Sequence, residues 1–129
     1  MKSQWQVIYY ETETGKSFVE DFIEAQNIRN QAKILNLISI LEEKGPNLPR
    51  PYADLLSDGI HELRIKISGN QSRILYFFCY QKYIILTHTF LKTTDKVPNA
   101  EINKAIQYRN DFLKRHTKKE LEADINENI

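Results

Sequence analysis

The chain has 129 residues, of which 41% are hydrophobic and 27% charged, with a formal net charge of +1. That size fits one domain around one modest core. The near-neutral balance excludes nucleic-acid binding through bulk charge, so any such role must rest on local clustering.

The single Cys79 excludes an internal disulfide and reads as a small core residue. No CxxC or CxxH pair offers a zinc site. No apolar run approaches the roughly 18 residues of a membrane span, and no signal-type segment follows Met1. The expected location is the cytoplasm, with no membrane partner.

Trp5 to Tyr10 alternates Trp5, Val7 and Tyr9 on one face and reads as a strand. Ser17 and Glu20 have capping-box spacing before a short helix carrying Phe18, Phe22 and Ile23. Asn27 caps a second helix that turns Ile28, Ala32, Leu35, Ile38 and Leu41 toward a core and stops at Gly45-Pro46. Asn47 to Asp58, with Pro49 and Pro51, reads as loop, with Leu55 and Leu56 tucked onto the core.

Three strands follow. Ile60–Ile67 ends in a Gly69-Asn70 turn, Ser72–Tyr80 in a Gln81-Lys82 turn, and Tyr83–Leu91 in a polar loop. Asn99 then caps a last helix with Ile102, Ala105, Ile106, Phe112 and Leu113 at helical spacing. Residues 117–129 form a charged tail that extends this helix or frays, beyond a domain of residues 1–116.

The order βααβββα predicts an α+β fold with a four-stranded, mostly antiparallel sheet. All helices are expected on one side, leaving the other sheet face partly open. Positive charge concentrates in the sheet. Between Gly59 and Pro98 stand six Arg and Lys against Glu62 and Asp95.

Strand alternation then puts Arg64, Arg73, His88, Phe90 and Lys92 on one outward face, with Lys66 and Lys96 at its edges. Such a group suits a phosphodiester. Arg forks match phosphate oxygens, His88 titrates near neutrality, and Phe90 can stack on an unpaired base. No Asp/Glu cluster is available to hold a catalytic metal, and no cofactor is expected. Arg64 paired with Glu62 on a solvated sheet, and His88 and Phe90 as ordinary strand residues, remain open alternatives.

The runs DGIHELRI, SRILYFF and ILTHTFLKTTDKVP, followed by a capped helix, carry a resemblance. In this order they resemble the phage-derived Gp49-like branch of the HigB toxins, in the RelE/ParE superfamily of type II toxin–antitoxin systems, over Trp5 to Phe112. The resemblance implies a RelE-like fold and a ribosome-dependent endoribonuclease that cuts mRNA in the A site.

By it, Arg64 and Arg73 hold the scissile phosphate, and Lys92 and His88 are acid/base candidates. Phe90, Lys66 and Lys96 contact mRNA or ribosomal RNA. It also implies a helix-turn-helix, HigA-like antitoxin, with operator DNA bound only through that partner. The ParE branch, a non-enzymatic inhibitor of DNA gyrase, and a degenerate member that only binds antitoxin remain alternatives. One departure is visible. Relatives commonly carry a second Lys where Thr93 stands, and Asp95 adds a negative charge to that loop.

Overall fold

The computed structural model describes residues 4–127. Ten elements follow one another: β1 (Gln6–Tyr9), α1 (Phe18–Glu24), α2 (Ile28–Lys44), a 3-10 turn (Gly45–Asn47), β2 (Ala53–Ser57), β3 (Ile60–Ile67), β4 (Asn70–Cys79), β5 (Tyr83–Leu91), α3 (Asn99–Arg115) and α4 (Lys118–Glu127). The mixed α+β architecture is the one expected, but the sheet has five strands, in the order β1-β5-β4-β3-β2. β1 lies parallel to β5 and every other pair is antiparallel.

The extra strand is β2, in the stretch read as loop. Pro49 and Pro51 both precede it, so neither removes a donor from its ladder with β3. Leu56 packs on the core, whereas Leu55 is exposed. Tight turns set the register of the last four strands. Asp58-Gly59 and Ser68-Gly69 are two-residue loops in which both residues have positive φ, the backbone twist that matches paired antiparallel strands.

The helices cover both faces of the sheet rather than one. On one face Ile34, Ile38 and Leu41 of α2 pack with Leu63, Ile65, Ile74, Tyr76 and Ile84. On the other, Ile102, Ala105 and Phe112 of α3 pack with Ile60, Leu75, Phe77 and Ile85. The apolar phase of α2 also differs from expectation. Ile28 is 84% exposed and Leu35 47%, because the buried stripe runs through 34, 38 and 41 at i, i+4, i+7.

Caps explain most helix boundaries. Ser17 Oγ accepts the Glu20 N–H and Asn27 Oδ1 accepts the Asn30 N–H. α2 ends where Gly45 takes a φ of 54° beneath Trp5. Asn99 does not cap α3. Pro98 occupies that position, without a side-chain hydrogen bond.

The C-terminal segment breaks from α3 at His116 and forms a helix of its own. There Thr117 Oγ1 accepts the Glu120 N–H, and Leu121 is buried in the second core. A staple fixes the far end of α3 to the residue that follows β1. Tyr10 Oη donates to Asp111 Oδ2 at 2.6 Å, and Arg115 pairs with the same carboxylate. These partners hold Asp111 down to about 2, with Arg115 the larger cause. Burial, and then Asp111, push Tyr10 up to about 12. Among the described residues no helix is long and apolar enough to cross a membrane.

Candidate active site

The face that carries the predicted residues depends on one irregularity in β5. Tyr76 pairs with Leu86 but Leu75 pairs with His88, so Thr87 is an extra residue in the ladder. Its side chain is fully buried and its hydroxyl donates to Leu75 O at 3.0 Å. Before the bulge, Tyr83 and Ile85 face α3. After it, His88 and Phe90 do. Strict alternation from Tyr83 would have sent both to the α2 side.

The result is two rows across the sheet. Arg64, Arg73 and Phe90 are neighbours in one, and Glu62, Leu75 and His88 in the next. The predicted residues therefore do share a face, but α3 covers part of it, and Arg73 and His88 are each 5% exposed. The expectation that both point outward is corrected. Arg73 is buried because a carboxylate is buried with it, which removes the cost of an unpaired charge.

That carboxylate is Glu62. Its Oε1 accepts from Arg73 Nε at 2.7 Å, while Arg73 Nη1 donates to Ser72 O and to Gln71 Oε1. Oε2 of Glu62 lies 3.6 Å from Arg64 Nη2, and Asp54 Oδ2 lies 3.5 Å from the same nitrogen. Asp54 is shared in turn with Arg50 at 2.7 Å, the largest cause that holds it below the usual carboxylate range. Arg64 is thus held from behind by two carboxylates, each already engaged by another arginine. Its Nε is buried with no hydrogen-bond partner.

The Arg64 side chain is 32% exposed and borders an open cleft of about 390 Å³ together with Lys92, Asp95, Lys96 and Asn99, with Glu62 also in its wall. Asn99 opens α3, a 17-residue helix whose first N–H groups have no side-chain cap. Three cations and an uncapped helix start around one hollow form a receptive environment for an anion.

The other candidates lie elsewhere. His88 lines a separate hollow with Lys16, Phe18, Lys104 and Tyr108. Its Nε2 is 3.4 Å from Glu101 Oε2 and its Nδ1 is 3.1 Å from Thr87 Oγ1. Burial pushes this imidazole below its ordinary range, with Glu101 acting in opposition. Phe90 packs on the α3-side core and borders a hollow with Phe22 and Leu91. Lys66 lines a groove beside the start of α2. Cys79 is partly buried, and burial pushes its thiol up to about 12, as suits a packing residue rather than a nucleophile.

Sequence reading missed two contributors. Asp54 lies on the unrecognised β2. Glu62 was seen only as a surface partner for Arg64, although the ELR spacing put both on one face.

The family model described as "Phage derived protein Gp49-like (DUF891)" matches residues 21–110, a span that contains the whole cleft and both rows of side chains. The chain belongs to the phage-derived Gp49-like family. This is the HigB-type toxin family of the RelE superfamily, so the chain is grouped with the toxins of toxin–antitoxin systems. No curated protein matches the chain. Within the Gp49-like match, β3 supplies Glu62 and Arg64, β4 supplies Arg73, and the loop before α3 supplies Lys92 and Lys96.

Proposed function

We propose that this Gp49-like protein is a ribosome-dependent endoribonuclease toxin that cleaves mRNA in the A site and thereby stops translation. The observation that carries the reading is the convergence of Arg64, Lys92 and Lys96 on one open cleft, with Arg64 fixed by a Glu62 that Arg73 locks in place. The ribosome would present the mRNA backbone to this cleft. A helix-turn-helix antitoxin would restrain the toxin and carry any operator binding.

The chemistry follows from the residues. The 2′-oxygen of the target nucleotide attacks the adjacent phosphorus and its proton passes to solvent. The bond from phosphorus to the 5′-oxygen breaks as the Lys92 ammonium gives that oxygen a proton. The products are a 2′,3′-cyclic phosphate and a 5′-hydroxyl. Arg64, with Lys96 beside it, stabilises charge that grows on the non-bridging oxygens. Arg73 is a positioning residue in this scheme, since its Nε and Nη1 are already engaged with protein groups. His88, in a different hollow, has no step here.

Induced expression with paired RNA and DNA readouts tests the proposal. Growth arrest with loss of full-length mRNA, and neither effect from a folded Arg64→Ala protein, is expected. Arrest with a DNA-damage response and intact mRNA would favour gyrase inhibition and overturn it.

A further inference from the structure

A small hollow of about 220 Å³ lies beside β2, past the C-terminal end of α2. Pro46, Pro49 and Leu55 give it apolar surface, Tyr76 and His61 aromatic surface, and Arg50 a positive charge. Tyr76 and His61 are cross-strand partners on β4 and β3, and their rings stack with centroids 5.2 Å apart. Tyr76 is 2% exposed. Yet among the described residues its hydroxyl makes no hydrogen bond, and neither does the His61 ring. The hydroxyl is not sealed in the core; it reaches the hollow that Tyr76 lines.

Burial is the largest cause that pushes the Tyr76 phenol up and the His61 imidazole down, so both are uncharged at pH 7. A buried phenol and a neutral imidazole without partners offer donors and acceptors to whatever enters. Arg50 sits at the mouth, its side chain 73% exposed. Among the described residues only its Nη2 is engaged, donating to Asp54 Oδ2 at 2.7 Å, so the rest of its fork is open to an anion. The hollow is smaller than the roughly 300 Å³ at which sites for drug-sized ligands begin. It has room for one ring and not for a nucleotide.

We propose that this hollow binds a small planar aromatic acid, with its ring between the prolines and the Tyr76–His61 pair, a hydrogen-bonding group at the inner end and its carboxylate on Arg50. The site also touches the Arg64 cleft from behind. The Asp54 oxygen that holds Arg50 lies 3.5 Å from Arg64 Nη2. A carboxylate that shares Arg50 weakens its hold on Asp54 and leaves more of that charge to Arg64. Occupancy of the hollow is thus felt at Arg64 through one shared side chain, whether or not the cleft cuts RNA.

The test titrates the whole chain with 4-hydroxybenzoate and follows the His61 ring and Arg64 Nε–H signals by NMR. Phenol lacks the anion and cyclohexanecarboxylate lacks the planar ring, so these are the comparison ligands. Tyr76→Phe and Arg50→Gln remove one anchor each. Tyr76→Phe takes away no hydrogen bond within the protein, so it keeps the packing of the wild type. Tyr108→Phe alters a tyrosine of the separate His88 hollow.

The expected result is saturation with a dissociation constant of about 1 mM or below, an ordinary efficiency for a ligand of about ten heavy atoms. Both signals move along one curve. Tyr76→Phe and Arg50→Gln each weaken binding about tenfold, the usual effect of losing one hydrogen bond or ion pair, while Tyr108→Phe stays within about twofold. Both comparison ligands bind at least about tenfold more weakly. Absence of saturation up to about 10 mM overturns the proposal, and so does binding that neither anchor variant weakens. Cyclohexanecarboxylate binding as tightly as the aromatic acid overturns it as well, because any anion on Arg50 would then suffice. His61 signals that saturate while the Arg64 signal stays still overturn the link through Asp54. Failure of the cleavage reading looks different: the wild type then makes no translation-dependent cuts, and this titration is unchanged.

Discussion

Arg64 and Arg73 sit directly opposite each other across β3 and β4. Like charges in that position repel, and Glu62, one row away on the same face, answers both. It binds Arg73 Nε at 2.7 Å and approaches Arg64 Nη2 at 3.6 Å. The two arginines are therefore unequal. One is a buried strut and the other the half-exposed group at the cleft.

That inequality gives the first prediction. Arg73→Met leaves Glu62 buried with only the longer Arg64 contact and costs about 3–5 kcal/mol. Arg64→Ala changes stability by no more than about 1 kcal/mol while abolishing cleavage. Urea unfolding midpoints, read beside RNA cleavage by each folded variant, separate these two effects. Equal loss of stability in both would contradict the assignment.

The fold was legible in sequence where local chemistry marked it. The caps at Ser17 and Asn27 and the stop at Gly45 stand where the residues place them, and the last three strands do so within two residues, with the β3–β4 turn at Ser68-Gly69 rather than at Gly69-Asn70. β2 was hidden because its two upstream prolines suggested loop through to Asp58. The Thr87 bulge carries no glycine or other sequence mark, yet it decides which way His88 and Phe90 face. Open and covered faces were beyond reach, since alternation tells which residues share a face but not which helix lies on it. Arg64, Lys92 and Lys96 line one cleft, and charge on a strand and in the loop that ends the sheet is visible in sequence. The separation of His88 from them follows from α3, through Glu101 and Tyr108.

His88 supplies a pH prediction. Its folded pKa lies below the unfolded value near 6.5, chiefly through burial, with Glu101 opposing and Lys104 adding to the decrease. The unfolded chain thus binds the proton first. The stabilising contribution is complete above about 6.5 and is lost as pH falls through the folded value. His61, also lowered by burial, adds in the same sense. Thermal midpoints of wild type should fall more steeply from pH 7 to 5 than those of His88→Gln, and superimposable slopes would contradict this account.

Gly45 is a packing position as well as a turn. A Cβ there would lie 2.4 Å from Trp5 Nε1, on backbone with a φ of 54°. Gly45→Ala must displace the Trp5 ring, which has Phe78 as its edge-on neighbour at 5.0 Å. The expected cost is about 1–3 kcal/mol, measured by denaturation and accompanied by a change in tryptophan fluorescence. An unchanged midpoint would show that the ring relaxes freely.

Asp95 lines the Arg64 cleft where an approaching phosphate meets its charge. Asp95→Asn should strengthen binding of a short uncleavable RNA by about threefold to tenfold, most at low salt, through removal of one repulsion. Weaker binding instead would mean that Asp95 orders the loop holding Lys92 and Lys96.

The central claim is that the Arg64 cleft cuts mRNA only on the ribosome. The most direct measurement is to map mRNA 5′ ends in a translating extract with purified protein added, alongside the same extract with initiation blocked, and to repeat both with folded Arg64→Ala. New 5′-hydroxyl ends at positions in register with codons, absent when initiation is blocked and absent with Arg64→Ala, are the predicted result. Cuts that persist without translation, or that Arg64→Ala makes equally well, would contradict it.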